Sequence, residues 1–313
     1  MSLDGGSFTF GIVLCSAVLL DAILGDPQNF PHPVIAIGRV IDFWHQRLFT
    51  SSRDFSRGLL LCAITLITTS LAVWLTLWLT GCSVFVKIYL LYAAIAWRDL
   101  KDETAPILSC LLKHDVITAR RYLSRVVGRD TENLNEPEIS RAAVETIAEN
   151  SIDGVMSVLF FAGLGQVLSG EYGACVSVWL FKAASTLDSM VGYESLGEYG
   201  KASAKLDDFM NFIPARLGGL VIVLAGGRGL RVFLRDRLKH KSPNSAHGES
   251  AFAGVLDVRL GGGAYYGGVF EAREWLNAEG RDSDAWDIVM AWKVLDASCS
   301  AFTLMVIFFT WIT

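Results

Sequence analysis

The chain of 313 residues is too apolar for an ordinary soluble domain, because 52% of its residues are hydrophobic and its mean hydropathy is +0.41. Its formal net charge of -5 identifies no partner, because the 27 Lys and Arg residues lie almost entirely between the apolar segments. These basic residues are dispersed and lack an aromatic stacking platform, which argues against nucleic-acid binding. The six cysteines include no C-x-x-C pair, which argues against a zinc site or a redox dithiol.

Apolar segments in the first third of the chain approach the roughly 20 residues that a helix needs to cross a bilayer. Residues 8–24 form the first, and no Lys or Arg precedes it to make a signal peptide, so we expect it to be retained. Residues 58–80 are the clearest span. Residues 84–97 follow after three residues, which predicts a tight helical hairpin with the preceding span.

A second hairpin is predicted from residues 154–170 and 172–186, and residues 297–312 form the last apolar segment. Residues 209–227 are ambiguous because Pro214 and Arg216 interrupt them early. They either cross the bilayer or re-enter on the same side, and the distribution of charge favours re-entry. A return dip within 251–260 or 261–270 is the alternative.

Basic residues mark one side of the membrane. Lys and Arg number four in 25–57, eight in 98–153, two in 188–208 and ten in 228–296, whereas both hairpin links have none. If 209–227 re-enters, all four basic loops share one face, which the positive-inside rule makes cytoplasmic. We therefore predict a multi-pass protein of the cytoplasmic (inner) membrane whose active face is cytoplasmic.

Two loop regions are predicted to be helical. Residues 102–127 have apolar residues three and four apart, which indicates an amphipathic helix or helix pair. Glu136, Pro137 and Glu138 are typical of a helix start, and this helix is expected to end near Asn150. The predicted fold is all-α: one integral membrane domain over 1–313, a polytopic helical bundle with hairpins, a re-entrant segment and cytoplasmic amphipathic helices.

A polar ladder on that second helix is the first candidate site. Arg141, Glu145 and Glu149 recur every four residues and lead to Asn150 and Asp153 at a membrane boundary. Such a ladder can hold a cation or a phosphate. The alternative is a solvated face joined by salt bridges.

Other candidates lie at segment ends. Asp26 and His32 stand in a proline-rich turn that is either a site or a loop that ends a helix. Lys182 interrupts an apolar segment, where an ionisable residue is costly, so it is either functional or directed to the membrane surface.

The stretch from 188 to 216 combines acids and bases that suit magnesium-bound phosphate chemistry. Asp207 and Asp208 face different sides of a helix, so we expect one ligand and one structural residue. Further candidates lie in a polar loop that is followed by a run of glycines at 261–263, which is a weak phosphate-binding signal. The members of both stretches are Asp188, Tyr193, Lys205, Asp207, Asp208, Asn211, Arg216, Ser242, Asn244, Glu249 and Arg259.

These stretches resemble the adenosylcobinamide-phosphate synthase family, membrane proteins of cobalamin biosynthesis of the CobD/CbiB type. The resemblance extends over most of the chain, with several long motifs in the same order. The matching runs are LLDAILGDPQNFPHPVIAIGRVI (19–41), VGRDT (127–131), EPEISRAAVETIAENSIDGV (136–155), STLDSMVGY (185–193), ASAKLDDFMNFIPARL (202–217) and SPNSAHGESAFAGVLDVRLGGGAYYGG (242–268).

The resemblance implies that adenosylcobyric acid is joined to aminopropanol O-phosphate, or a related amino alcohol, in an amide bond formed with ATP and Mg. Lipid is then a partner, and a homo-oligomer or a complex with other cobalamin-assembly proteins stays open. The implied catalytic residues are Glu145, Glu149, Asp153, Lys205, Asp207 and Asp208, with Glu149, Asp153 and Asp207 as metal ligands. The implied substrate-binding residues are Asp26, His32, Arg39, Arg129, Asn150, Lys182, Asp188, Tyr193, Asn211, Arg216, Ser242, Asn244, Glu249 and Arg259.

Two other functions stay open. A corrinoid or ion transporter would place Lys182 and Asp21 along a path through the bilayer, but we find no clear internal repeat. A sensor or scaffold would keep the fold without the activity, and the retained charged motifs argue against it.

Overall fold

A computed structural model describes residues 5–26, 32–49 and 53–313 of the chain. The secondary structure is overwhelmingly helical, as predicted. The helices are α1 Gly5–Leu24, α2 Pro33–Leu48, α3 Phe55–Leu79, α4 Val84–Tyr92, α5 Trp97–Leu111, α6 Val116–Leu123, α7 Glu136–Asn150, α8 Ser157–Val191, α9 Glu198–Gly226, α10 Leu230–Asp236, α11 Ser245–Leu256 and α12 Ala285–Ile312. A π-helix, Ser151–Met156, joins α7 to α8, and a 3-10 turn, Glu194–Leu196, precedes α9.

Four of the described helical stretches are long and apolar enough to cross a membrane: Phe55–Leu79, Glu136–Val191, Glu198–Gly226 and Ala285–Ile312. Thr9–Leu24 is a shorter apolar helix. The chain is therefore a multi-pass membrane protein with an all-α membrane bundle.

The chain divides into two compact units. Unit 1 comprises Met1–Ala96, Ser157–Asn211 and Leu304–Thr313, and unit 2 comprises Trp97–Met156 and Phe212–Thr303. The prediction of a single domain over 1–313 stays a prediction.

Unit 1 contains the predicted hairpin of α8. Ser169 and Gly170 depart from helical geometry, and the two halves of the helix fold back on each other. The rings of Phe161 and Phe181 stack with centroids 5.1 Å apart across the hairpin. This prediction is confirmed.

The prediction of another hairpin, between α3 and α4, is wrong. Helix α4 packs mainly on α1 and α8. A groove of about 270 Å³ is lined by residues of α2, α3 and α4, among them Val73 of α3 and Leu90 of α4. Two polar contacts hold α4 in this position. Lys87 pairs with Glu171 of α8, and the Tyr92 hydroxyl donates to the carbonyl of Gly25 after α1.

Unit 2 contains the amphipathic helices. Residues 102–127 form the predicted helix pair, α5 and α6, and the Asp115 carboxylate accepts a hydrogen bond from the Thr118 N–H at the start of α6. Helix α7 begins where predicted, with a capping box between Asn135 and Glu138. It continues through the π-helix without a loop at Asn150.

Unit 2 also contains two small antiparallel strand pairs that the sequence did not predict. The strands are β1 Leu260–Gly261, β2 Ala264–Tyr266, β3 Val269–Glu271 and β4 Trp275–Leu276, with β1 paired to β4 and β2 to β3. Helix α11 packs against α10 and α7, and its residues from Ala246 to Leu256 are all buried.

Helix α9 continues through Pro214 without a break, although that proline motivated the prediction of a re-entrant segment. Proline is tolerated in membrane helices because neighbouring groups satisfy the freed carbonyl. The helix is long enough to cross the bilayer. The re-entry of residues 209–227 stays a prediction. It is not supported by a break in the helix, because α9 is continuous over these residues.

Candidate functional site

A buried carboxylate on α7, Glu145, is the centre of a polar cluster in unit 2. One of its oxygens lies 2.6 Å from Nη2 of Arg129, and the other accepts a hydrogen bond of 2.7 Å from the Gly261 N–H. Nε of Arg141 lies 3.7 Å from Glu145, one turn earlier on α7. Since only 5% of the Glu145 side chain is exposed, the alternative of a solvated ladder is wrong at this position.

The second carboxylate of the cluster, Glu249 on α11, lies where its ionisation is opposed. Burial raises the pKa of Glu249 well above its ordinary value of 4.5, and the charges of Glu145 and Glu149 raise it further. Nδ1 of His240 lies 3.7 Å from the Glu249 carboxylate, and burial lowers the pKa of this imidazole. Glu249 therefore keeps its proton at a pH where an exposed glutamate is ionised.

Two arginines flank the indole of Trp275 at the edge of this cluster. The guanidinium carbons of Arg141 and Arg259 each lie 4.8 Å from the ring centroid. Arg259 also lies 2.6 Å from Asp282, and its side chain is 38% exposed. These contacts orient Arg259 while leaving it reachable from solvent.

The VGRDT motif connects the cluster to the β2–β3 hairpin. While Arg129 pairs with Glu145, the neighbouring Asp130 carboxylate accepts hydrogen bonds from the N–H groups of Gly267 and Gly268, at 3.0 and 2.7 Å. Asp130 was not among the predicted site residues, although its motif was noticed. Its partners are backbone groups in the turn, which the sequence motif does not identify.

The glycine run at 261–263 does not have free N–H groups for a phosphate at its first two positions. Gly261 donates to Glu145, and Gly262 donates to the Glu274 carbonyl. A Cβ at Gly263 would lie 2.0 Å from the tip of the Phe270 ring, so the ring packs directly on this glycine. This run is better explained by packing and by the positioning of Glu145.

The predicted acids of unit 1 have partners within that unit. Asp188 on α8 and Asp208 on α9 interact electrostatically. Asp207 accepts a hydrogen bond of 3.1 Å from Asn211, whose side-chain oxygen accepts one of 2.7 Å from Ser157. The adjacent aspartates therefore face different partners, as their helical spacing predicted.

The turn before α2 has a structural role, which agrees with the alternative of a helix-ending or helix-starting loop. Nδ1 of His32 accepts a hydrogen bond from the Val34 N–H and caps the helix, while Nε2 lies 3.3 Å from Asp26. Pro27 lies outside the described residues. Substrate binding by His32 and Asp26 stays a prediction.

The predicted site residues lie in both units. Their functional roles stay predictions. Those in unit 1 are Asp26, His32, Arg39, Lys182, Asp188, Tyr193, Lys205, Asp207, Asp208 and Asn211. Those in unit 2 are Arg129, Glu145, Glu149, Asn150, Asp153, Arg216, Ser242, Asn244, Glu249 and Arg259. Within unit 1, Arg39, Tyr193 and Lys205 are exposed.

No group of three or more His, Cys, Asp or Glu side chains suited to a metal occurs among the described residues. Magnesium that arrives with a nucleotide needs only one or two carboxylates, since phosphate oxygens and water complete its coordination. Asp188 and Asp208 interact electrostatically and carry oxygen donors of the type that magnesium takes. Magnesium binding by Glu149, Asp153 and Asp207 stays a prediction.

Comparisons with known proteins agree with the resemblance. A family described as CobD/Cbib protein matches residues 14–295. "Cobalamin biosynthesis protein CobD" of Pelobacter propionicus is 41% identical over 87% of this chain and 86% of its own length. The CobD protein of Geobacter metallireducens is 42% identical over 88% and 90%. "Cobalamin biosynthesis protein CbiB" of Salmonella arizonae is 36% identical over 96% and 97%. No solved structure gives a significant match.

Proposed function

Because this chain belongs to the CobD/CbiB family of cobalamin biosynthesis proteins, we propose that it is an adenosylcobinamide-phosphate synthase. It is an ATP- and Mg-dependent ligase that joins a carboxylate of adenosylcobyric acid to the amine of aminopropanol O-phosphate or a related amino alcohol. It works on the cytoplasmic face of the inner membrane, where its basic loops are proposed to lie.

One observation carries the proposal. Arg129, Glu145 and Glu249 come from three separate motif stretches and meet in one buried cluster of unit 2. Buried charged groups are costly unless they are paired, and perturbed carboxyl groups concentrate at functional sites. A scaffold without chemistry has no need for such a cluster.

The cluster suits the demands of amide formation. ATP with Mg supplies the activation of the corrinoid carboxylate. The amine nitrogen then forms the C–N bond, the activated oxygen leaves with its phosphoryl group, and the nitrogen loses a proton. A carboxyl group with a raised pKa is matched to proton transfer near neutral pH. Glu249, protonated at rest, donates its proton to the oxygen that leaves with the phosphoryl group, and the carboxylate so formed takes the proton that the nitrogen loses.

The arginines have complementary roles in the proposed reaction. Glu145 fixes Arg129 through their 2.6 Å contact. The guanidinium is thereby oriented before the negative charge of the attacked carbonyl develops. Arg259, which is partly exposed beside Trp275, contributes positive charge at the edge of the site.

The test is coupled ATP consumption by the purified full-length protein in detergent. We expect ATP to be consumed only when the corrinoid acid and the phosphorylated amino alcohol are both present. Glu249→Gln should lower the rate by about 10²-fold or more, whereas Glu132→Gln, at an exposed position in the same unit, should not. ATP consumption when either substrate is missing would contradict the proposed function and favour a transporter. Full activity of the Glu249→Gln protein would remove Glu249 from the mechanism.

A further inference from the structure

A second polar group in unit 2, at the start of α11, is cationic. His247 in the first turn of α11 is fully buried, and neither ring nitrogen has a hydrogen-bond partner. Nε of Arg237, just after α10, is also buried without a partner. An unsatisfied buried donor or acceptor costs about 1–3 kcal/mol.

Three helices bring these groups together. The Phe233 ring of α10 packs against His247 with centroids 6.0 Å apart, and the guanidinium of Arg237 lies 5.9 Å from the same ring. A Cβ at Gly219 of α9 would lie 2.5 Å from Phe233, so α9 and α10 approach closely. Arg216 of α9 reaches the start of α11, where Nη1 donates to the side-chain oxygen of Asn244 at 3.1 Å.

The group at the start of α11 has an excess of positive charge. Burial and the nearby charges of Arg216 and Arg237 together lower the pKa of His247 to about 4. Asp236 lies beside Arg237 in the chain but is engaged elsewhere, by Arg235, Lys239 and the Asn277 N–H. The cationic group therefore lacks a counter-charge from this neighbouring acid.

We propose that His247, Arg216 and Arg237 bind a phosphate group of a substrate. Guanidinium and imidazole groups donate charge-assisted hydrogen bonds to phosphate oxygens. The positive end of the α11 dipole adds to them, since its N-cap residue Asn244 makes no side-chain hydrogen bond to the helix. Arg216 and Arg237 are half-buried, which leaves a route for the ligand from their side.

The identity of this phosphate rests on the proposed function, because the phosphorylated amino alcohol and ATP both carry one. The site would explain why a buried histidine is retained among arginines. Neither His247 nor Arg237 was a sequence-predicted site residue, although His247 lies within the SPNSAHGES stretch.

Equilibrium binding without turnover tests the proposal on the full-length protein in detergent. The probes are aminopropanol phosphate, unphosphorylated aminopropanol and ATP, each titrated alone by calorimetry. Arg237→Gln should weaken binding of one phosphorylated probe by about tenfold or more, and the probe that loses affinity identifies the source of the phosphate. Arg231→Gln is the matched control, because Arg231 is an exposed arginine of α10, the helix that Arg237 follows, and this variant should bind as the natural protein does.

His247→Asn supplies an independent arm and should weaken binding of the same probe. Unchanged affinities for both phosphorylated probes, in Arg237→Gln and His247→Asn proteins that melt cooperatively, would overturn the proposal. These titrations measure binding and not product formation. A negative result would therefore contradict the phosphate site without contradicting amide synthesis, and a negative result for amide synthesis would not contradict the phosphate site.

Discussion

Glu145 and Glu249 lie in one cluster but have opposite surroundings. Glu145 is held by Arg129 and the Gly261 N–H, whereas burial and the neighbouring glutamates raise the pKa of Glu249. Environments that differ in this way give two carboxyl groups different tasks. We assign positioning of Arg129 to Glu145 and proton transfer to Glu249.

The stabilities of two variants should separate these tasks. Glu145→Gln leaves the Arg129 guanidinium, 14% exposed, without its carboxylate, and should lower the free energy of unfolding by about 3–5 kcal/mol. Glu249→Gln replaces a protonated acid with a neutral amide and should cost about 1 kcal/mol or less. Chemical unfolding in detergent measures both. Equal losses would show that Glu249 is ionised in the folded protein.

His247 predicts a pH dependence of stability. Its imidazole gains a proton below pH 6.5 in the unfolded chain but only below about pH 4 in the folded one. The unfolded state thus binds more protons in that window, so stability should fall as the pH is lowered from 6.5 to 4.

Replacing His247 with Gln should reduce this acid-induced loss, whereas His114→Gln should keep it, because the His114 side chain is 83% exposed. Melting temperatures across this pH range measure the slope. If the His247→Gln protein loses as much stability on acidification as the natural protein does, His247 is not buried in its neutral form.

The sequence located Glu145 but not its surroundings. Its spacing with Arg141 and Glu149 indicated a polar ladder, and that spacing equally fits a solvent-facing helix. Gly261 lies 116 positions away in the chain, and its N–H bond to Glu145 depends on tertiary packing. The sequence around His247 has no pattern that predicts a buried histidine next to two arginines.

At the scale of helices, close backbone contact stabilises the α8 hairpin. A Cβ at Gly165 would lie 2.2 Å from the carbonyl oxygen of Gly173 in the other half of the hairpin. Only glycine allows this approach without moving one half. Gly170, where the chain reverses, has a positive φ, which glycine adopts without strain.

Replacing Gly165 with Ala should destabilise the protein by about 3 kcal/mol or more, because backbone atoms have to move. Gly128→Ala is the control, since a Cβ there meets nothing within 4 Å, and it should change stability by less than about 0.5 kcal/mol. Thermal unfolding in detergent measures both changes. A Gly165→Ala protein as stable as the control would contradict the close contact.

The α3–α4 hairpin shows why a similar pattern fails. Its link of three residues is also short, but Lys87 and Tyr92 direct α4 onto Glu171 and the carbonyl of Gly25. These partners are distant in the chain, so hydropathy and link length do not reveal them. Pro214 likewise suggested a break, but α9 continues through it.

At the scale of the whole molecule, the lengths of the apolar helices and the family could be predicted from the sequence, whereas the orientation in the membrane stays a prediction.

Cysteine labelling tests this orientation in a cysteine-free background. Labels outside intact cells should reach Cys at position 80, beside the lysine-free α3–α4 link, but not Cys at exposed positions 132 and 279. Labelling of Cys at position 132 or 279 from outside the cell would contradict the proposed orientation.

The most direct test of the central claim is mass analysis of the corrinoid after incubation with the purified protein, ATP, Mg and aminopropanol phosphate. We predict a product whose mass is that of the corrinoid acid plus the amine minus one water, formed in step with ATP consumption and lost in Glu249→Gln. An unchanged corrinoid that instead accumulates inside protein-containing vesicles would contradict amide synthesis and identify a transporter.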